Sequence, residues 1–170
     1  MNFYPTVIVK TTVSSEQKQM IQSLVLGVSR AFPAQFRKKL PREMTILFVS
    51  SLFSRTLNRI YRKKDTPTNV LSFVYDLYAE IFIAPSVVRK EAFIEGEAYV
   101  FRLAKMIIHG MIHCGGIDHE ESVGNDRKFK VLEQKILKNL LASRVFAFIK
   151  KNDKTKKDSS RGKFFFSGKI

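Results

Sequence analysis

The segment from Glu97 to Cys114 constrains the fold of this chain more than any other part of the sequence. Its apolar residues recur at helical spacing and give one continuous stripe, made of Val100, Phe101, Ala104, Ile107, Ile108, Met111 and Ile112. Such a stripe is stable in water only when other elements cover it. The pattern therefore predicts a helix in the protein core, and Gly115 and Gly116 are expected to end it.

Four other segments have the composition of β-strands. They are rich in β-branched and aromatic residues and lie beside turn-forming residues: 6–12, 44–49, 70–75 and 79–84. The last two are separated by three residues, and so short a connection favours a hairpin. At least part of the sheet is therefore expected to be antiparallel.

Four further helices are predicted from apolar residues at helical spacing and from capping residues. They cover 15–32, 52–62, 85–95 and 126–149. Between the second helix and the next strand, residues 63–69 contain Pro, Asn and Asp, which favour a loop. A chain of 170 residues with 45% hydrophobic residues can bury one core, so we expect one domain over residues 1–149.

Positive charge dominates the composition. Thirty Lys and Arg against 15 Asp and Glu leave a formal charge of +15. Such a field favours a polyanionic partner, with nucleic acid as the first candidate and an anionic membrane surface as the alternative. No segment approaches the roughly 20 apolar residues of a transmembrane helix, and the N-terminus lacks a signal-peptide pattern. With Cys114 as its single cysteine, the protein is expected in the cytoplasm.

Residues 150–170 differ in composition from the rest of the chain. They hold eight Lys and Arg against two Asp, and no apolar periodicity precedes the triplet Phe164–Phe166. We expect a flexible basic tail, because such a segment buries too little apolar surface to offset its ordering entropy. The triplet could dock on the domain, stack on bases or contact a partner.

All three histidines of the chain lie within eleven residues, in HGMIHCGGIDH at 109–119. His109 and His113 are four residues apart, so they project from one helical face and can reach the same ion. Left-handed backbone at Gly115 and Gly116 would let the chain bring His119 back toward the pair. Three imidazoles leave a fourth tetrahedral position open, which is typical of a catalytic zinc site with one Zn²⁺ per chain.

Two neighbours of the histidines have other expected roles. Cys114 lies about 100° around the helix from His113, so we expect it in the core and not on the metal. Asp118 either orients an imidazole as a hydrogen-bond partner or faces solvent, and the first role is favoured.

The histidine spacing also matches the H-x-x-x-H-x-x-G-x-x-H zinc signature of metzincin proteases. Those enzymes need a general-base Glu directly after the first histidine, where this chain has Gly110. A metalloprotease is therefore the least favoured of the hydrolase functions.

Two motifs carry a resemblance to a known family. HGMIHCGGIDH resembles the H-G-x-x-H-x-x-G-x-D-H motif of the YbeY family of bacterial rRNA maturation endoribonucleases, and LNRIYRKKDTPTNVLSF at 57–73 resembles that family's L-N-x-x-x-R-x-x-D-x-P-T-D-V-L-S-F segment. The resemblance continues to the last helix, where Glu133 fits the family's closing segment. Asn69 replaces the usual Asp, and Ala79-Glu80-Ile81 replaces a usual Gly-Asp-Ile, which puts the role of those carboxylates in doubt.

The resemblance implies a single-domain α+β fold. Its central mixed sheet of four strands packs with about five helices, and a zinc site lies at the end of a core helix. The activity it implies is cleavage of single-stranded RNA in rRNA 3′-end maturation and ribosome quality control. Expected partners are precursor rRNA and ribosomal particles, and not DNA.

A cluster of cations lies at the end of the second helix and in the loop after it. Arg59, Arg62, Lys63 and Lys64 could gather phosphate near a metal cleft or form an ordinary solvated charge run. The resemblance singles out Arg62 as the functional arginine. Lys105, one turn before His109, either adds positive potential to the cleft or is solvated.

The sequence leaves the mechanism open. Zinc can activate water or polarise a phosphate oxygen, and attack by the ribose 2′-hydroxyl is a further route. No residue is identified as the general base. The competing hypothesis is a non-catalytic RNA- or ribosome-binding factor in which zinc only stabilises the fold.

Overall fold

The structure is a computed structural model that describes residues 6–10, 15–117 and 123–152. Its elements in chain order are β1 (Thr6–Lys10), α1 (Ser15–Ala31), α2 (Ala34–Arg37), β2 (Glu43–Phe48), α3 (Ser51–Arg62), β3 (Val70–Val74), β4 (Tyr78–Ile83), α4 (Pro85–Ile94), α5 (Tyr99–Cys114), α6 (Val123–Leu141) and α7 (Arg144–Asn152). Together they form an α+β fold.

The strands form one mixed sheet in the order β1-β2-β4-β3. β1 and β4 both run parallel to β2, whereas β3 pairs antiparallel with β4. The β3–β4 turn is closed by the Tyr75 amide, which donates to the Tyr78 carbonyl at 2.8 Å. The hairpin predicted for 70–75 and 79–84 is therefore confirmed.

The predicted core helix is confirmed as α5. It packs against β3 and β4 on one side and against α1 and α6 on the other. The register pairs Ile46 with Ile81, so both lie on the face of the sheet that α5 covers. These two residues and Ile107 of α5 have no exposed surface, and each stabilises the fold by about 1.5–3 kcal/mol.

Gly110 lets α5 lie directly on the sheet. A Cβ at this position would be 2.8 Å from Cγ2 of Ile81 and 3.0 Å from Oγ of Ser72. The Ser72 hydroxyl donates to the Gly110 carbonyl at 3.3 Å. This close contact fixes the helix rotation, and with it the direction in which the neighbouring histidine projects.

The expectation of about five helices was too low, since the described residues contain seven. The single helix predicted over 126–149 is two helices, because the chain breaks at Ser143. The Ser143 hydroxyl accepts the Phe146 amide at 3.2 Å and so caps α7. The other addition, α2, is a single turn after Pro33, too short to show periodicity.

The last helix continues beyond the predicted domain boundary. α7 ends at Asn152, so residues 150–152, which were assigned to the tail, are helical. The remaining tail, including Phe164–Phe166, lies outside the described residues. Among the residues that are described, no helix is long and apolar enough to cross a membrane.

Candidate metal centre

Two of the three predicted ligands meet at the C-terminal end of α5. The Nε2 atoms of His109 and His113 are 3.2 Å apart. Two imidazole ligands of one tetrahedral zinc ion, each at 2.0–2.1 Å, have nitrogens about 3.3 Å apart. The spacing of this donor pair therefore fits a shared zinc ion.

α6 supplies a carboxylate and an aromatic ring to the same pair. Oε1 of Glu133 lies 3.3 Å from Nδ1 of His109, and the two side chains are 27% exposed each. In the tautomer with hydrogen on Nδ1, His109 donates to Glu133 and directs the Nε2 lone pair toward His113. The ring of Phe129, one turn before Glu133, has its centroid 4.8 Å from that of His109 and 5.1 Å from that of His113.

The sequence alone identifies Glu133 only as a match to the family's closing segment. Its contact with His109 joins residues 24 positions apart, which helical spacing cannot reveal. The one available signal was that Phe129 and Glu133 share a face of the last helix. A carboxylate on the outer nitrogen of a histidine ligand is a common feature of zinc sites.

The third ligand, His119, and its neighbour Asp118 lie outside the described residues, so their roles stay predictions. In the part of the chain that the structure describes, no group of three His, Cys, Asp or Glu side chains forms a metal site. Of the two glycines before them, Gly116 matches the expectation and Gly115 does not. Gly116 has a left-handed φ of +81°, but Gly115 has a φ of −85°.

Gly115 is needed for another reason than left-handed geometry. A Cβ there would overlap the ring of Phe36, which packs against the end of α5. Gly116 makes the turn, and its amide donates to the His113 carbonyl at 2.9 Å. The helix therefore ends at these two glycines, as predicted.

Cys114 belongs to the core, as predicted. Its side chain is buried, and burial raises the pKa of its thiol to about 12. Its position about 100° around the helix from His113 also directs it away from the histidine pair.

Gly110 also explains why the protease base is absent. The position after the first histidine faces Ile81 and Ser72, so a glutamate there would collide with the sheet. The histidines therefore project from one side of α5, and the other side packs against the sheet.

The predicted phosphate-binding cations lie at the end of α3. Arg59, Arg62, Lys63 and Lys64 are all exposed. The helix begins as expected, with the Ser50 hydroxyl accepting the Phe53 amide at 3.1 Å. It ends at Arg62, and the next residue, Lys63, caps it in left-handed geometry with a φ of +58°.

Hydrogen bonds hold the loop after α3 against the helix. Nδ2 of the buried Asn58 donates to the Thr66 carbonyl at 2.8 Å, and the Ser54 hydroxyl donates to the Thr68 carbonyl at 2.6 Å. The ring of Tyr61 contacts Phe73 of β3, with centroids 4.7 Å apart. The last turn of α3 therefore packs against β3, a strand that α5 also contacts.

Lys105 lies in a different electrostatic environment from these exposed cations. Its Nζ is 2.8 Å from Oε1 of Glu97, and both side chains are mostly buried. The carboxylate offsets the positive potential that Lys105 was expected to add to the cleft.

Asn69, which departs from the family pattern, has a structural role here. Its Nδ2 is 3.0 Å from both carboxylate oxygens of Glu91. Glu91 also accepts from the guanidinium of Arg102 at 2.9 Å. An Asp at position 69 would face this carboxylate with like charge, whereas the Asn amide donates to it.

The comparisons with known proteins agree with this architecture. Residues 8–141 match the family model of Endoribonuclease YbeY. A protein named Endoribonuclease YbeY from Aromatoleum aromaticum is 33% identical over 148 residues, covering 75% of this chain and 96% of that protein. The protein of that name from Burkholderia cenocepacia is 38% identical over 104 residues, covering 58% of this chain and 60% of that protein.

A solved structure shares the fold. The solution structure of a Thermotoga maritima protein aligns over 94% of this chain and 99% of that protein, with a TM-score of 0.58 and 23% identity. The matched segment runs from β1 to the end of α6 and includes all three histidines and the α3 cations. This chain is a member of the Endoribonuclease YbeY family.

Proposed function

We propose that this protein is a zinc-dependent endoribonuclease that cleaves single-stranded RNA. The observation that carries the proposal is the 3.2 Å separation of the His109 and His113 Nε2 atoms at the end of a buried helix. Relatives named Endoribonuclease YbeY support RNA as the substrate, and so does the charge of +15.

In this proposal His109, His113 and His119 hold one Zn²⁺, and Glu133 and Asp118 orient imidazole rings. When bound, zinc supplies a Lewis acid that activates water or polarises a phosphate oxygen. Glu133 accepts a hydrogen bond from Nδ1–H of His109, so that Nε2 carries no hydrogen and its lone pair is available to the metal. Phe129 covers one side of the histidine pair.

Arg62 is proposed to act on the substrate phosphate. Its guanidinium offers two parallel donors to phosphate oxygens and can stabilise the negative charge that builds up on them during cleavage. Arg59, Lys63 and Lys64 are proposed to raise the local concentration of RNA without reading its sequence. The cellular role proposed is rRNA 3′-end maturation and ribosome quality control in the cytoplasm, with precursor rRNA and ribosomal particles as partners.

The alternative is a non-catalytic RNA- or ribosome-binding factor whose fold depends on zinc. The packing favours the enzyme, because the sheet and α1 bury α5 in an apolar core, in addition to the contacts that His109 and His113 make with α6. Proteins with structural zinc unfold when the metal is removed. We expect the chelated protein to keep its fold and RNA affinity and to lose only cleavage.

The decisive experiment incubates the purified full-length protein with single-stranded and duplex RNA of the same sequence, with and without added zinc. We expect zinc-dependent cleavage of the single strand. His113→Ala should be inactive, and Lys90→Ala, a change at an exposed residue of α4, should be fully active. Cleavage by His113→Ala at the wild-type rate would overturn the proposal.

A further inference from the structure

A cleft of about 510 Å³ lies between the α2–β2 loop and the tip of the β3–β4 hairpin. Cys114, the residue that follows His113, forms part of its lining. Cys114 is one turn after Gly110, so the cleft lies beside the side of α5 that packs against the sheet, at the C-terminal end of the helix. None of the cations predicted to bind RNA lies in it.

One side of the cleft is cationic. Lys38, Lys39 and Arg42 are exposed and lie within five residues of one another. Among the described residues, no salt bridge neutralises any of the three, whereas Arg55 and Lys105 are paired with carboxylates. Asp76, on the opposite side, is the one acidic residue that lines the cleft, so the lining has a net positive charge.

The opposite side is aromatic and apolar. The rings of Tyr75 and Tyr78 stack with centroids 4.4 Å apart and planes inclined by 19°. Tyr75 and Leu77 line the cleft, and Leu77 is 64% exposed. An exposed apolar tip with a preformed pair of rings provides a surface on which a planar group can stack.

We propose that this cleft binds a single-stranded segment of the RNA substrate. Its phosphates lie along Lys38, Lys39 and Arg42, and one or two bases lie against Tyr75 and Leu77. The inference rests on RNA being the substrate, as proposed above. A duplex would turn only its phosphates to the protein, and an acidic peptide would use the cations without needing the rings. The two unlike sides match a single strand, which presents phosphates on one edge and bases on the other.

The test measures the binding of the full-length protein to a short single-stranded RNA that carries 2-aminopurine. The cation variant is Lys38→Ala/Lys39→Ala/Arg42→Ala, and its control removes three exposed charges elsewhere, Lys90→Ala/Lys135→Ala/Lys138→Ala. Losing three phosphate contacts should reduce the slope of log affinity against log salt by about 2. The control should change that slope by less than half as much.

The aromatic side is tested with Tyr75→Phe and Tyr75→Leu. We expect Tyr75→Phe to bind like wild type, and Tyr75→Leu to bind about tenfold more weakly and to lose 2-aminopurine quenching. Polyglutamate, as a probe for an acidic protein partner, should compete poorly. If polyglutamate competes strongly and Tyr75→Leu binds RNA like wild type, the inference is overturned in favour of an acidic protein partner.

Failure of this inference is distinguishable from failure of the proposed function. An active enzyme whose KM for single-stranded RNA is unchanged in the cation variant would contradict the cleft while leaving the function intact. Protein that binds RNA through the cleft but never cleaves it would contradict the function and leave the cleft in place.

Discussion

The C-terminal ends of α5 and α3 carry the two halves of the proposed chemistry, and they are built differently. At the end of α5, the histidine pair is partly buried and is held by Glu133 and Phe129 of another helix. At the end of α3, Arg62 and its cationic neighbours are exposed to solvent. Packing therefore sets the geometry of the proposed metal ligands, whereas the proposed phosphate ligands can adjust to a flexible strand.

This difference predicts that similar substitutions have different effects in the two helices. Ile107 of α5 is fully buried, whereas Ile60 of α3 is 51% exposed. We expect Ile107→Ala to lower the free energy of unfolding by about 2–5 kcal/mol, and Ile60→Ala by less than about 1 kcal/mol. Urea denaturation of both variants provides the measurement. Equal losses would show that the two helices are packed alike.

Arg62→Ala should separate function from stability. We expect a loss of about 10²–10³ in kcat for cleavage of single-stranded RNA, because the proposed contact strengthens as charge develops on the phosphate. The urea midpoint and the zinc content should stay at wild-type values. Arg144→Ala, an exposed arginine at the start of α7, is the matched control. An Arg62→Ala protein that cleaves at the wild-type rate would reduce Arg62 to an ordinary surface charge.

Substitutions of Glu133 test whether the hydrogen bond to His109 affects the zinc affinity of the site. Glu133→Leu is expected to weaken zinc binding about 10- to 100-fold, because His109 loses the acceptor for its Nδ1 hydrogen. Glu133→Gln keeps an acceptor oxygen and should lie between wild type and Glu133→Leu. The neighbouring exposed residue gives the control Gln134→Leu. Competition with a zinc-binding dye measures the affinities, and identical values for all four proteins would remove Glu133 from the site.

The sequence predicts features that depend on local pattern. The periodicity of α5, the short β3–β4 connection and the Ser50 cap each depend on residues that are close in the chain. The spacing of His109 and His113 belongs to the same class, because one helical turn brings the two rings together. These are the features on which sequence and structure agree.

Features that depend on distant contacts could not be predicted. The break at Ser143 interrupts an apolar pattern that would otherwise continue, and the reason for Gly115 is the ring of Phe36, far away in the chain. The contact of Glu133 with His109 and the cleft beside Lys38 likewise need the packed structure. Local patterns identify the elements, and their packing decides which side chains meet.

The zinc content of purified protein tests the central claim most directly. We expect elemental analysis to find about one zinc ion per chain in wild-type protein and in Cys114→Ala, since Cys114 is a buried core residue on another side of α5 than His113. His109→Ala, His113→Ala and His119→Ala should each lose the metal while remaining folded by circular dichroism. Full zinc content in all three histidine variants would contradict the account.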